Sequence, residues 1–187
     1  MNTRIVLFVL ACFTFSSCGI DEVPGYTKRW LHDATVQQLF FENGSDTITL
    51  DVSYFRTLSK GELGLRSEDI ASIFEDKKTS SKLALDFFGE RISFTVIVTD
   101  TVGGKPVKTE LPRALVLTSE SGSESIIEGA QYLSIEDNYV LNNITYERVA
   151  VISATHPKSY FHQLYYSKRD GLVGFKDKND KTWTRIL

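Results

Sequence analysis

The feature that most constrains the fold of this chain is a strict alternation of polar and apolar residues over positions 47–54, TITLDVSY. Successive side chains of a β-strand point to opposite faces, so an alternation of period two predicts a strand with one apolar and one polar face. The apolar face would carry Ile48, Leu50, Val52 and Tyr54. Strands of this kind are typical of antiparallel sheets that bury one face and leave the other in water.

Further runs rich in β-branched and aromatic residues predict more strands. They lie at residues 83–88, 92–98, 114–118, 144–152, 161–166, 172–175 and 182–187. Turn-forming residues at 102–105, 169–171 and 177–180 join several of them by short connections. We therefore predict a mainly β domain, an antiparallel sheet or meander closed as a barrel, a half-barrel or a sandwich. Its last part, 161–187, would be a three-stranded meander.

One stretch departs from the β pattern and predicts a short helix over residues 67–75. Ser67 can cap a helix N-terminus, and the acids at 68 and 69 suit the positive end of a helix dipole. Apolar residues follow at helical spacing, namely Ile70, Ile73 and Phe74. We expect this helix to lie over an edge or an open end of the sheet.

The start of the chain has the pattern of a targeting segment. Arg4 supplies a positive charge, and residues 5–15 form an apolar run without an acid. This run is too short to span a bilayer as a helix. It is followed by two serines, then Cys18, and then the acids Asp21 and Glu22. Such an order indicates a signal peptide that is removed from the mature protein.

The stretch FSSC, residues 15–18, resembles the lipobox of bacterial lipoproteins, in which the cysteine is lipidated and becomes the first mature residue. The resemblance implies a signal peptide at 1–17 and acyl chains, palmitate among them, on Cys18. We expect residues 18–30 to form the lipidated start and a short tether, and 31–187 a single β-rich domain. The alternatives are a secretory signal cleaved without lipidation and an N-terminal core element.

Composition excludes several classes of function for the mature chain. Without residues 1–17 it has 20 Lys plus Arg and 24 Asp plus Glu, a net charge of −4. Such a weakly acidic chain has no electrostatic reason to bind nucleic acid. Cys12 would leave with the signal and Cys18 would be acylated, so no thiol would remain for a disulfide, a thiolate metal site or cysteine catalysis.

A second resemblance covers residues 144–187. The segments ITYERVAVIS and YYSKRDGLVGFKDKNDKTW are similar to the closing strands of β-rich lipoproteins of the Bacteroidetes type. The matching residues are Tyr165, Tyr166, Gly171, Leu172, Val173, Phe175 and Trp183. The resemblance implies a lipid-anchored place in the cell envelope, at the outer membrane, on either its periplasmic or its outer face.

The chain carries no motif of a serine hydrolase, a zinc protease, a phosphate-binding loop or a dinucleotide fold. His32 ends the predicted tether, His156 lies in a predicted loop, and His162 lies in a predicted strand with an expected hydrogen-bond partner. A metal pair of His156 and His162 would lack a third ligand. We expect no catalytic residue, no metal site and no cofactor.

Aromatic residues are the last feature of the sequence that could indicate a binding site, although most of them should fill the core. A curved sheet could also leave an aromatic-lined hollow for an apolar ligand. The residues that would line it are Tyr54, Tyr132, Tyr165, Tyr166 and Trp183.

The sequence thus predicts a membrane-anchored envelope lipoprotein with a non-catalytic binding or structural role. Its partners would be the bilayer, which its acyl chains enter, and a protein or an apolar ligand. One alternative is a carrier or sensor of a hydrophobic ligand in a curved-sheet cavity. Another is a hydrolase or metal-dependent enzyme in which His156 or His162 converges with carboxylates.

Overall fold

The computed structural model describes residues 20–60, 66–102, 104–111, 113–154 and 159–186. Cys18, the predicted signal segment and His156 lie outside the described residues. The strands are β1 (Ile20–Asp21), β2 (Gln38–Asn43), β3 (Asp46–Lys60), β4 (Arg66–Asp76), β5 (Ser81–Phe88), β6 (Arg91–Val102), β7 (Lys105–Glu110), β8 (Ala114–Thr118), β9 (Glu124–Glu128), β10 (Leu133–Glu136), β11 (Tyr139–Leu141), β12 (Ile144–Tyr146), β13 (Val149–Ser153), β14 (Phe161–Ser167), β15 (Gly171–Asp177) and β16 (Thr182–Arg185). A helix of four residues, α1 (Gly25–Lys28), lies between β1 and β2.

Fourteen strands form one sheet, which follows the order β10-β13-β14-β15-β16-β2-β3-β4-β5-β6-β8-β9. In addition, β7 pairs with β6, and β1 pairs in parallel with β4. The other pairs of this sheet are antiparallel. Its two end strands, β9 and β10, contact each other, so the sheet curls into a near-closed barrel. The prediction of a mainly β, antiparallel fold is confirmed.

Strand alternation and the predicted meander are also confirmed. Along residues 47–54, the even-numbered side chains are buried or half-buried, and most odd-numbered ones are exposed. The last strands, β14 to β16, form the three-stranded meander. The stretch 144–152 is two strands rather than one, because the backbone of Arg148 takes a positive φ of 54° between β12 and β13.

The helix predicted over 67–75 is wrong, because these residues lie inside β4. Glu68, Ile70, Ser72 and Phe74 all point to the buried face, with at most 2 % of each exposed. Polar residues at two of these inward positions hide the period-two pattern from the sequence. Ser67, the predicted cap, instead shares a side-chain hydrogen bond of 2.6 Å with Ser59 across the hairpin. Within the described residues, no helix is long and apolar enough to cross a membrane.

Residues 20–30, the described part of the predicted tether, pack against the sheet. Val23, Thr27 and Trp30 are at most 2 % exposed. The hydroxyls of Thr27 and Thr118 lie 2.6 Å apart, and the Tyr26 hydroxyl bonds to the Glu90 carboxylate at 2.5 Å. The chain is therefore fixed to the barrel from its first described residues onward, and Val23 and Trp30 belong to the core.

A smaller apolar cluster lies on the outer face of the sheet, under the β11–β12 hairpin. Leu141 and Tyr146 of this hairpin pack with Tyr165 and Val173 of the sheet. Gly174 makes the close approach possible, since a Cβ there would lie 2.5 Å from Leu141 Cδ2 and 2.6 Å from the Trp183 carbonyl oxygen. The sheet thus has a core on each side at this point.

Candidate functional site

The five aromatic residues singled out from the sequence do not surround one cavity. Tyr166 and Trp183 belong to the main core, whereas Tyr165 belongs to the outer cluster under the β11–β12 hairpin. Tyr54 is half-buried and lines a hollow at the surface, and Tyr132 is half-buried in the turn before β10. The structure therefore brings Tyr166 and Trp183 into the same core, with Tyr54 packed against it from the surface.

The middle of the barrel is filled by aromatic rings. Trp30 stacks on Tyr166 of β14 at 6.4 Å and meets Phe94 of β6 edge-on at 6.3 Å, so it connects opposite walls. Phe74 of β4 reaches the same Tyr166 ring at 5.9 Å. The Tyr166 hydroxyl donates a 2.7 Å hydrogen bond to the Trp30 carbonyl, and burial raises the pKa of this phenol far above its ordinary value. This cluster occupies the space in which an apolar ligand would sit.

A buried carboxylate on β4 holds the N-terminal segment in place. The Glu68 side chain is 1 % exposed and accepts hydrogen bonds from the Val23 backbone, from Lys28 Nζ at 2.8 Å and from Arg56 Nε at 2.6 Å. Burial acts to raise its pKa, but these three donors outweigh burial and hold the pKa below the usual glutamate value. Glu68, the inward-facing acid that interrupts the apolar alternation of β4, therefore binds the N-terminal segment to the sheet. We call Glu68 with these three bonds the clamp of the N-terminal segment.

A second buried carboxylate lies at the seam between the two ends of the sheet. Glu124, on the end strand β9, has a side chain that is 1 % exposed. It bonds to Arg148 at 2.8 Å, next to β13, and to Lys168 at 2.6 Å, after β14. It also accepts a hydrogen bond from Trp30 Nε1 at 3.3 Å. Both cations come from the opposite side of the seam, so this cluster joins the two ends of the barrel.

His32 is buried rather than free at the end of a tether. The residue is 6 % exposed, its ring meets Phe74 edge-on at 5.6 Å, and its Nε2 has no hydrogen-bond partner among the described residues. Burial, with a smaller contribution from the Arg185 charge, lowers its pKa to about 4. Gly171 gives it room, since a Cβ there would lie 2.5 Å from His32 Nδ1. This imidazole is a neutral core residue at pH 7.

Among the described residues, no catalytic arrangement includes His162. His162 is about one-third exposed, and its Nδ1 lies 3.8 Å from the Asp180 carboxylate, while His156 is outside the described residues. Across the part of the chain that the structure describes, no three His, Cys, Asp or Glu side chains are grouped so that they could hold a metal ion. Asp177 organises the β15–β16 turn, accepting bonds from the backbone of Asn179 and Lys181.

Two adjoining hollows mark the surface where β3 changes partners. Their volumes are about 540 and 330 Å³, and both are lined by Gln38, Asp51 and Lys77. Strand β2 pairs with β3 only up to Asp51, and β4 pairs with it from Asp51 onward. We call this pair of hollows the Asp51 groove.

Charged, polar and apolar groups combine in the Asp51 groove. Lys77 Nζ lies 2.6 Å from Asp51, and the Gln38 amide donates to the same carboxylate at 3.0 Å; these two bonds lower the Asp51 pKa, the lysine more strongly. Tyr54 lies at one end and Tyr160 at the other. Burial, with the nearby carboxylates, raises the pKa of Tyr160 to about 12. Sequence reasoning pointed to Tyr54 alone, because the other lining residues come from separate turns and strands.

The edge of β3 beyond the Asp51 groove is open. The Val52 amide donates to the Gln37 carbonyl at 2.8 Å, which shows that even-numbered residues of β3 direct their backbone groups toward the β2 side. Beyond Asp51, no described strand pairs with β3 on that side. An open edge of this kind can accept another extended chain by backbone hydrogen bonding.

No protein-family model matches this chain, and neither the curated proteins nor the solved structures contain a match to it.

Proposed function

We propose that this protein is a lipid-anchored component of the cell envelope, at the outer membrane, that binds a partner on the outside of its barrel and performs no catalysis. Acyl chains on Cys18 hold it to the bilayer. Its partner is an extended peptide segment of another protein, which lies in the Asp51 groove and adds to the open edge of β3.

The observation that carries the binding mode is the contrast between the interior and the edge of the barrel. Trp30, Phe74, Phe94 and Tyr166 fill the interior with ring contacts of 5.9–6.4 Å. The edge of β3 instead offers backbone groups with no described strand opposite them. A partner would gain hydrogen bonds there without displacing the core.

The lining of the groove fits a peptide. Val36, Val52 and Tyr54 offer apolar surface to alternate side chains of an added strand. Gln38, Asp51 and Lys77 offer both donors and acceptors at the point where the pairing of β2 with β3 ends. Apolar surface supplies affinity, and the polar groups fix the register of the bound chain.

Membrane attachment is tested by the variant Cys18→Ser expressed in the native host. We expect the wild-type protein in the membrane fraction and the variant in the soluble fraction, because the acyl chains supply the affinity for the bilayer. A Cys18→Ser protein that stays in the membrane fraction would overturn this part of the proposal.

The binding mode is tested by a benzophenone amino acid placed at Tyr54 and photoactivated in cells. The matched control is the same group at Ile127, which is 51 % exposed on β9, an end strand of the sheet that does not neighbour β2 or β3. We expect the benzophenone at position 54 to crosslink to another protein, and the benzophenone at position 127 not to form this adduct. Equal adducts from both positions, or a hydrophobic molecule bound in a one-to-one ratio to the purified barrel, would contradict it.

A further inference from the structure

A hollow of about 230 Å³ lies on the sheet across strands β3, β4 and β5. In one row of its lining, Phe55 is opposite Ala71, and Ala71 is opposite Asp86. The next row consists of Thr57, Asp69 and Phe88. These side chains alternate along their strands with Ile70 and Phe87, which belong to the core, so the hollow is on the outer face. We call it the Phe55 hollow.

Two aromatic rings stand on either side of the Phe55 hollow. Phe55 on β3 is 53 % exposed, and Phe88 on β5 is half-buried. Ala71, between these two strands, has only a methyl group, which leaves the depression in the sheet. The face of an aromatic ring carries partial negative charge and attracts a cation placed over it.

Two carboxylates complete the lining of the hollow. Asp69 and Asp86 are exposed, and neither forms a hydrogen bond or an ion pair within the part of the chain that the structure describes. They are diagonal neighbours on β4 and β5, which places them about 7–8 Å apart. A cation between the rings would therefore have two unpaired acids beside it.

The surroundings of Asp86 disfavour its charged form. Desolvation by the neighbouring groups raises its pKa most, and the charge of Glu110 raises it further. Arg113 lowers this pKa and Asp69 raises it, both to a smaller extent. Arg113 also pairs with Glu128 at 3.2 Å. A bound cation would offset the repulsion between Asp86 and the other acids.

The remaining cations near the hollow differ in the face on which they lie. Arg56 is on the inner face of β3, where it belongs to the clamp of the N-terminal segment. Lys60 and Arg66 pair at an inner-face position of the β3–β4 register. Arg91, opposite Phe88 on β6, is on the outer face and forms no ion pair among the described residues. Arg91 is therefore a weak internal competitor for the hollow.

The Phe55 hollow adjoins the open edge of β3. Asp51 and Phe55 lie on the same face of β3, four residues or about 13 Å apart. A strand added to the open edge would direct alternate side chains to this face, beside Phe55 and Thr57. Strand β4 is two strand spacings, about 10 Å, from such an added strand. A long side chain that crosses β3 can therefore place its end next to Ala71.

An arginine side chain suits this lining better than a lysine side chain. The guanidinium group is planar, stacks on aromatic faces and carries five donors in a fixed arrangement, so it can contact a ring and carboxylates together. The ammonium group of lysine is more strongly hydrated and must give up more of its water to enter the hollow.

We propose that the Phe55 hollow binds the guanidinium group of an arginine side chain carried by the extended partner segment. The group lies next to Ala71, against the Phe55 ring and between Asp69 and Asp86. This inference rests on the proposed function for the identity of the partner, and arginine is the single occupant of the hollow.

The preference for a guanidinium group is tested without the partner. The full-length, ¹⁵N-labelled protein is titrated with N-acetylarginine methylamide, and the backbone amides of the lining residues are followed by NMR. The lysine analogue and the uncharged citrulline analogue are the matched ligands. We expect a dissociation constant on the order of 1 mM for the arginine compound, since exposed ion pairs and cation–π contacts are each weak. Lysine should bind about threefold more weakly, and citrulline about tenfold more weakly.

Variants of the lining identify the groups that hold the ligand. Asp86→Asn and Phe55→Leu should each weaken binding of the arginine compound by about threefold or more, and Arg91→Gln should strengthen it. Glu136→Gln is the matched control, since Glu136 is an exposed acid on the end strand β10 and should leave binding unchanged. Equal affinity for arginine and citrulline, or equal affinity in the wild type and Asp86→Asn, would overturn the inference.

Photocrosslinking from position 54 separates this inference from the proposed function. We expect Asp86→Asn to lower the yield of the protein adduct by about threefold or more. An adduct of undiminished yield would overturn the inference and leave the binding mode at the β3 edge supported. Binding of the arginine compound without any adduct from position 54 would support the guanidinium preference and refute the proposed partner.

Discussion

The hydroxyl of Tyr166 donates a hydrogen bond to the carbonyl oxygen of Trp30 at 2.7 Å, inside the barrel. Tyr166 lies on β14, near the end of the chain, and Trp30 lies in the segment that precedes β2. Their rings also stack, with an angle of 12° between the planes. The N-terminal segment is therefore part of the core, and its removal would open the barrel.

Substitution of this pair should show how much the core depends on the N-terminal segment. Tyr166→Phe leaves the buried Trp30 carbonyl without its donor and should lower the free energy of unfolding by about 1–3 kcal/mol. Trp30→Ala, which also empties space between β6 and β14, should lower it by about 3–5 kcal/mol. Urea unfolding measures both, with Tyr132→Phe as the control at a half-buried tyrosine. A Tyr166→Phe protein as stable as the wild type would refute the role of the bond.

Glu68→Gln should destabilise the protein and change its response to acid. The folded-state pKa of Glu68 lies below the ordinary value of 4.5. Its contribution is therefore fully present above about pH 4.5 and is lost as the pH falls through the lower, folded-state pKa. At pH 7 we expect a loss of about 2 kcal/mol, less than for a fully buried pair because Lys28 and Arg56 can return to water.

The measurement for Glu68 is urea unfolding at several pH values between 7 and 2.5. The wild type should lose more stability than Glu68→Gln below about pH 4.5. Glu128→Gln is the control, since Glu128 forms an exposed ion pair with Arg113 and should contribute about 0.5 kcal/mol or less. If the free energy of unfolding fell equally with pH in the wild type and in Glu68→Gln, the proposed role of the Glu68 charge in the clamp would be wrong.

Protonation of His32 should destabilise the fold at a higher pH than protonation of Glu68. Its pKa is about 4 in the folded state and 6.5 ordinarily, so the unfolded chain binds the proton first as the pH falls. Stability should decrease from about pH 6.5 down to about pH 4, by about 3 kcal/mol in total. His32→Phe should remove this dependence, because the ring contact with Phe74 remains without a titrating group. An NMR titration that showed the His32 imidazole protonating near pH 6.5 would contradict the prediction.

Gly174→Ala tests the contact between the two apolar clusters. The new methyl group would lie 2.5 Å from Leu141 Cδ2 and 2.6 Å from the Trp183 carbonyl, so β15 or the β11–β12 hairpin must move. We expect a loss of about 1–3 kcal/mol in thermal or urea unfolding. Gly25→Ala is the matched control, since no atom lies within 4 Å of its Cβ position. Adding Leu141→Ala should restore only part of the lost stability, because the contact with the Trp183 carbonyl remains. If the double variant lost as much stability as the two single variants together, the close contact between Gly174 and Leu141 would be refuted.

The sequence predicts those parts of the fold in which apolar residues repeat at the strand period. It predicts β3 and the closing meander, since their buried positions are almost all apolar. It misassigns β4 because Glu68, Ser72 and Asp76 occupy inward positions and break the pattern. The two polar residues of this set with known partners, Glu68 and Asp76, bond to groups distant in sequence or in the next turn, which no local pattern reveals.

The candidate site was less accessible to sequence reasoning than the fold. Gln38, Asp51 and Lys77 belong to β2, β3 and the β4–β5 turn, and each has an ordinary explanation as a polar surface residue. Only the change of partner along β3 brings them together. Conversely, Tyr166 and Trp183, two of the five aromatic residues predicted to line a hollow, lie in the main core, since large rings are also what a small barrel needs to exclude water.

Lipidation of Cys18 is the claim on which the proposed place of the protein at the membrane depends. Its most direct test is the intact mass of the protein purified from membranes of its native host, compared with the Cys18→Ser variant. We expect a mass that begins at Cys18 and includes acyl chains, with the acyl mass absent from the variant. A mature mass without lipid, or a chain that retains residues 1–17, would contradict it.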